Sequence, residues 1–169
     1  TGESFFSEAF HFRALREILR LNGGIADVRY LKKFLVENLG DLTFKEQSAE
    51  FGLDIKGLSI HSAFFDYDRD GDLDCYILNN SIRSVGGFDL SEGQRNIPDP
   101  EGNKFLRNDN GKFVDITTQA GIYSSKIGYG LGITVSDFNG DEYPDIFISN
   151  DFFERDYLYL NKKDGTFNA

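Results

Sequence analysis

Two nine-residue stretches of this sequence, DYDRDGDLD at 66–74 and DFNGDEYPD at 137–145, hold nine of its 28 acidic residues: Asp66, Asp68, Asp70, Asp72, Asp74, Asp137, Asp141, Glu142 and Asp145. Like charges at that density repel unless a cation neutralises them. Asp or Asn at loop positions 1, 3 and 5, with a further Asp at 9, converges oxygen donors on one point, and a hard all-oxygen set suits Ca²⁺. In the first loop the predicted side-chain ligands are Asp66, Asp68, Asp70 and Asp74, joined by the backbone carbonyl of Asp72, with Gly71 allowing the sharp turn. In the second they are Asp137, Asn139, Asp141 and Asp145, with the carbonyl of Tyr143. Glu142 stands where the first loop has Gly71, and a positive φ there costs a non-glycine residue free energy, so the second loop departs from the pattern.

An EF-hand needs a bidentate Glu at position 12 and flanking helices. Position 12 is Ile77 in one loop and Ile148 in the other, and both loops run into β-type segments, LDCYILNN and PDIFISND. The EF-hand is rejected on those grounds. A dockerin module fails for the same reason, and a thrombospondin type 3 repeat fails for lack of paired cysteines. The lone Cys75 falls opposite Ile146 in the repeat, which predicts a small buried strand residue and excludes an internal disulfide. For catalysis the sequence offers little: His11 and His61 stand in segments that read as packed or surface positions. No nucleophile motif or phosphate-cradling glycine loop is found, and the clustered carboxylates already have metal-ligand spacing.

The elements that hold these loops repeat along the chain. An offset of 71 pairs Asp66 with Asp137, Asp74 with Asp145 and Asn79 with Asn150, while FKEQSAEFGL matches FVDITTQAGI at an offset of 69. A third element, strand–turn–strand entered through Phe, occurs as FLVENLGDLTF, FLRNDNGKF and LYLNKKDGTF, with Asn38, Asn108 and Asn161 as turn caps. One unit therefore reads as strand (SIHSAFF), metal loop, strand (LDCYILN), long connection, strand (KFLRN), turn, strand (KFVDIT). Four antiparallel strands per unit is a propeller blade. The predicted fold is mainly β: about two four-stranded blades of a partial β-propeller behind an N-terminal helical segment. The divisions are 1–33 helical, 34–57 the outer hairpin of a preceding blade with its connection, 58–117 the blade with the first calcium loop, and 118–169 a shortened blade with the second.

FFDYDRDGDLDCYILNN, VSDFNGDEYPDIFISND and the N-x-x-D-G-T-F hairpin resemble FG-GAP or VCBS repeats, the calcium-bearing blades also seen in integrin α-subunit propellers. The nearest look is to secreted bacterial relatives of cartilage acidic protein. The resemblance spans residues 34–169, about four fifths of the chain. It implies an extracytoplasmic, calcium-bound, non-enzymatic propeller for protein or carbohydrate binding or adhesion, placed in the periplasm, on the cell surface or outside the cell. A portion of a carbohydrate-active enzyme, such as a polysaccharide lyase, and a purely structural spacer are the alternatives.

Charge sharpens the partner classes. With 18 Lys and Arg against 28 Asp and Glu the net charge is 18 − 28 = −10, which argues against nucleic-acid and anionic-membrane partners. No apolar run approaches the roughly 18 residues of a membrane span. The absence of Met, including at position 1, suggests a processed chain or a piece of a longer one, and because closed propellers typically need roughly four to eight blades, further blades of the same parent are expected neighbours. Residues 4–21 read as an amphipathic helix stopped by Asn22, Gly23 and Gly24, and 25–33 as either a second helix or a connection. The connection at 81–103 is long, and long loops on rigid scaffolds carry binding. Arg83, Phe88 and Arg95 are its contact candidates, at the end of the blade opposite the metal loops.

Overall fold

The two nine-residue acidic stretches each join a pair of antiparallel strands in the computed structural model, which describes residues 36–38, 43–80, 92–152 and 154–169. A short hairpin, β1 (Val36–Asn38) and β2 (Phe44–Glu46), comes first, followed by the four-residue helix α1 (Ser48–Phe51). The first large sheet has β3 (Leu58–Phe65), β4 (Asp74–Asn80), β5 (Lys104–Asn108) and β6 (Phe113–Asp115) in that spatial order. The second has β7 (Gly130–Ser136), β8 (Asp145–Asn150), β9 (Tyr157–Asn161) and β10 (Phe167–Asn168), also in sequence order. All pairings are antiparallel. The expectation of a mainly β chain with two four-stranded units holds. The segments read as helical at 4–21 and ambiguous at 25–33 lie outside the described residues, as do Arg83 and Phe88.

Every residue of β4 is buried, because both faces of its sheet are covered. That is why DCYILNN lacks the alternation of a one-sided strand. One face carries Tyr76, Leu78 and Phe105 into a cluster with Ile146, Ile148, Tyr157 and Tyr159 of the second sheet. The other carries Cys75, Ile77 and Leu106 against Leu53 and Phe113, with Phe51 and Ile55 beside them. Cys75 is a buried thiol in no disulfide, as its alignment with Ile146 predicts. Burying such large side chains stabilises by roughly 1.5–3 kcal/mol each, so the contact between the sheets is the main source of cohesion.

The repeat extends below the level of strands. Each inner strand pair breaks register at the same place, between Ser59 and His61 in the first sheet and between Gly130 and Gly132 in the second. The extra residues, Ile60 and Leu131, are 71 positions apart. Leu53 N–H donates to the Ser48 carbonyl at 2.7 Å, and Ile122 N–H to the Thr117 carbonyl at 3.0 Å, so the same tight reversal follows β2 and β6. These reversals keep the 69 offset. The two-residue length change therefore falls between Ile122 and Gly130, where residues 123–129 cross from one sheet to the next.

Antiparallel order puts the β3–β4 and β7–β8 turns, which are the acidic loops, at one end of the sheets. The β4–β5 connection lies at the other end. The β5–β6 turn returns to the acidic end, and Asn110 and Gly111 both adopt positive φ there, 56° and 87°. Such a turn matches the strand twist.

Candidate metal centre

In the first loop Asp66, Asp68 and Asp74 each offer a carboxylate oxygen, and these three oxygens lie within 4.8 Å of one another. The loop is shaped from inside by its first residue. Asp66 Oδ1 accepts the Asp70 N–H at 3.1 Å and Oδ2 the Gly71 N–H at 3.0 Å. Asp70, the fourth predicted side-chain ligand, is not part of that group, and its Oδ1 accepts the Asp72 N–H at 3.0 Å. Asp72 is expected to offer its backbone carbonyl; its side chain is partly buried as well, and Oδ1 of both Asp68 and Asp72 is buried without a hydrogen-bond partner. An orphaned buried carboxylate oxygen is costly, and one within the convergent group with another next to it fits an oxygen-liganded cation.

Electrostatics in this loop run against the anionic form. Burial and the charge of Asp74's neighbours Asp68 and Asp72 push the Asp74 carboxyl up to about 7, although N–H donors from Asn108 and Tyr67 hold it back. Asp68 is also raised, by burial first and then by the Asp70 charge, and Asp72 is raised by the same two causes. Among the described residues, no ion pair reaches any of the five carboxylates between 66 and 74. Arg69 lies within the loop, but its Nη1 is 3.7 Å from Glu142 Oε2 and its guanidinium stands 5.2 Å from the Tyr143 ring centroid.

The second loop copies the backbone of the first. Asp137 Oδ1 accepts the Asp141 N–H at 3.0 Å and Oδ2 the Glu142 N–H at 2.8 Å, the same pair of bonds that Asp66 makes. Positive φ occurs at position 4 and position 6 of both loops: Arg69 (66°) and Gly71 (96°) in one, Gly140 (79°) and Glu142 (71°) in the other. Each loop thus has one glycine for two left-handed positions, and the glycine has changed places. Glu142 adopts the conformation that its side chain disfavours, and the turn is kept.

The ligand side chains of this loop are engaged differently. Asn139 Oδ1 accepts the Asp141 N–H at 3.0 Å while its Nδ2 donates to Asp141 Oδ2 at 3.2 Å. Asp141 Oδ1 accepts the Tyr143 N–H at 2.9 Å, and Lys163 Nζ is 3.2 Å from the Asp141 carbonyl and 3.5 Å from Asp141 Oδ2. Donors hold these carboxyls below the ordinary range: the Glu142 N–H is foremost for Asp137, and the Tyr143 N–H for Asp141.

Position 9 is built alike in the two loops. Asp74 Oδ2 accepts the Tyr67 N–H at 3.1 Å and Oδ1 the Asn108 N–H at 2.9 Å. Asp145 accepts from Phe138 at 2.9 Å and from Asn161 at 2.8 Å. Asn108 and Asn161, expected as turn caps, do cap: their Oδ1 atoms accept the Gly111 and Lys163 N–H groups. They also brace the loops, which sequence spacing does not reveal. Asn108 Nδ2 reaches the Leu73 carbonyl, and Asn161 Nδ2 reaches the carbonyls of Pro144 and, across the two sheets, Tyr67. The side chain of Asn38 lies outside the described set.

At the opposite end, Arg95 sits in a short 3₁₀ turn (Glu92–Asn96) and is not a surface contact. Its Nε is 2.7 Å from Glu154 Oε1, with the Arg95 side chain 11% and that of Glu154 0% exposed. The contact role expected of Arg95 is therefore replaced by a latch between the connection and the second sheet. No helix among the described residues is long and apolar enough to cross a membrane. No family model matches the chain, and no curated protein matches it.

Proposed function

We propose that this chain is a non-enzymatic, calcium-stabilised pair of FG-GAP/VCBS-type propeller blades from an extracytoplasmic protein. The observation that carries the reading is the first acidic loop: three convergent carboxylates, an orphaned buried oxygen on Asp68 among them and another on Asp72 beside them, and no ion pair to the loop's carboxylates among the described residues. Asp66, Asp68 and Asp74 would hold the ion, with Asp70 and Asp72 completing the shell together with water. All donors are hard oxygens, which favours Ca²⁺ over softer metals, and millimolar extracytoplasmic Ca²⁺ is ample for such a loop. The ion supplies positive charge where buried carboxylates would otherwise repel, so its effect is on stability and on loop shape.

The binding role belongs to the other end of the blades, where the connection of 81–103 would meet an extracellular protein or a polysaccharide. Metal and ligand would then act at separate ends, the one fixing the scaffold on which the other is displayed. Thermal unfolding of the whole chain tests the metal assignment. At Ca²⁺ about 100-fold above its dissociation constant, the midpoint should rise by about 5–10 °C over that in chelator. Asp68→Asn should abolish most of that difference. An identical midpoint in Ca²⁺ and chelator would remove the assignment.

A further inference from the structure

We propose that the second acidic loop carries its own cation, the Lys163 ammonium, so that the chain takes up one divalent ion, in the first loop, and not two. The inference rests on the reading of the first loop as the metal site. Lys163 Nζ contacts the Asp141 carbonyl at 3.2 Å and Asp141 Oδ2 at 3.5 Å, and it stands 5.0 Å from the Tyr143 ring centroid. An ammonium held against the position-5 carboxylate and its carbonyl offsets the loop's charge and repels an incoming ion. Asn139 adds to this, since its Nδ2 donates to Asp141 Oδ2 and so turns an N–H, not an oxygen, toward that carboxylate. The acidic residue that has no counterpart in the first loop, Glu142, is met by Arg69 at 3.7 Å.

The two hairpins explain why only one loop is so treated. Asn110 and Lys163 each stand two residues after the bracing asparagines, Asn108 and Asn161, and both have positive φ, 56° and 63°. Both are at the hairpin end that meets the acidic loop. In the first hairpin that position is a neutral asparagine. In the second it is a lysine, held in a backbone conformation that asparagine adopts more readily. The first loop's own arginine is turned to the second loop, so that among the described residues five carboxylates have no ion pair on one side while two basic side chains stand on the other.

Lys163→Asn places the first hairpin's residue at the corresponding position, and asparagine accepts the positive φ there, so the folded chain can be compared directly. Equilibrium dialysis of the full chain against Ca²⁺ should give one ion per chain for the native sequence and two for Lys163→Asn. In chelator the variant should melt below the native chain, and Ca²⁺ should restore it. Two ions on the native chain, or no gain on Lys163→Asn, would overturn the inference. The same pair carried on Asp66→Asn/Asp68→Asn separates the two readings. There the expected counts are zero and one. If the unaltered first loop binds nothing while Lys163→Asn still gains an ion, the first-loop reading fails and the lysine assignment stands. If Lys163→Asn gains nothing on either background, the lysine assignment fails alone.

Discussion

Asp74 and Asp145 do two jobs with one carboxylate. Each is fully buried, and each oxygen accepts a backbone N–H, one from its own loop and one from the strand end of the following hairpin. A carboxylate oxygen has lone pairs for both an N–H and a metal, so position 9 can shape a loop whether or not an ion is present. Asp145→Asn isolates the shaping role in the loop that we read as metal-free. An amide would aim its NH₂ at the N–H of Phe138 or of Asn161, losing a charged hydrogen bond and setting two donors face to face. The variant should be destabilised by about 2–3 kcal/mol in denaturant titration, equally in Ca²⁺ and in chelator. A loss confined to Ca²⁺-containing buffer would instead make Asp145 a metal ligand. The loop spacing was legible because Asp at alternate positions dictates both donors and turn. Lys163 was not, since its partner Asp141 is 22 residues away and the contact depends on how a hairpin folds back.

At the scale of elements, the shared bulge decides more than the strands do. An extra residue at Ile60 and at Leu131 re-aims the start of each inner strand where the two sheets meet. Gly130 lies at the second bulge, where Leu78 of the first sheet leaves no room: an added Cβ would stand 2.3 Å from Leu78 Cδ1. Leu78 is fully buried and cannot swing aside. Gly130→Ala should therefore cost about 1–3 kcal/mol by chemical denaturation. Gly132→Ala, two residues on, would meet only Ser149 Oγ at 3.4 Å and should be nearly neutral. Equal effects would mean that strand propensity, not the sheet contact, sets the cost. The β-type segments after each acidic loop, their repetition along the chain and the Asn-Gly turn made the strands readable in advance. The bulges and the four-residue α1 were not, because one inserted residue or one helical turn is too short to leave a period in the sequence.

Across the whole molecule, the β4–β5 connection begins and ends in the first sheet yet is fastened to the second. Its later half pairs with the crossing segment through the Pro98–Ser125 bridge, the Asp99 N–H to the Ser124 carbonyl, and Ser124 Oγ to the Asp99 carbonyl at 3.0 Å. Arg95 then closes on Glu154, whose Oε1 also accepts the Arg155 N–H at 3.2 Å. A buried ion pair contributes little beyond a well-packed neutral pair, but breaking one strands a charge in low dielectric. Arg95→Met should thus cost about 3–5 kcal/mol in chemical denaturation. Adding Glu154→Gln should recover at least half of that loss, because the amide still accepts the Arg155 N–H and no charge is left behind. A double variant no more stable than Arg95→Met would place the cost in lost packing of the arginine and not in the pair. If recovery is seen, the connection behaves as a strap that holds the two sheets in register at the end away from the acidic loops, while the Asn161 brace to Tyr67 holds them at the acidic end.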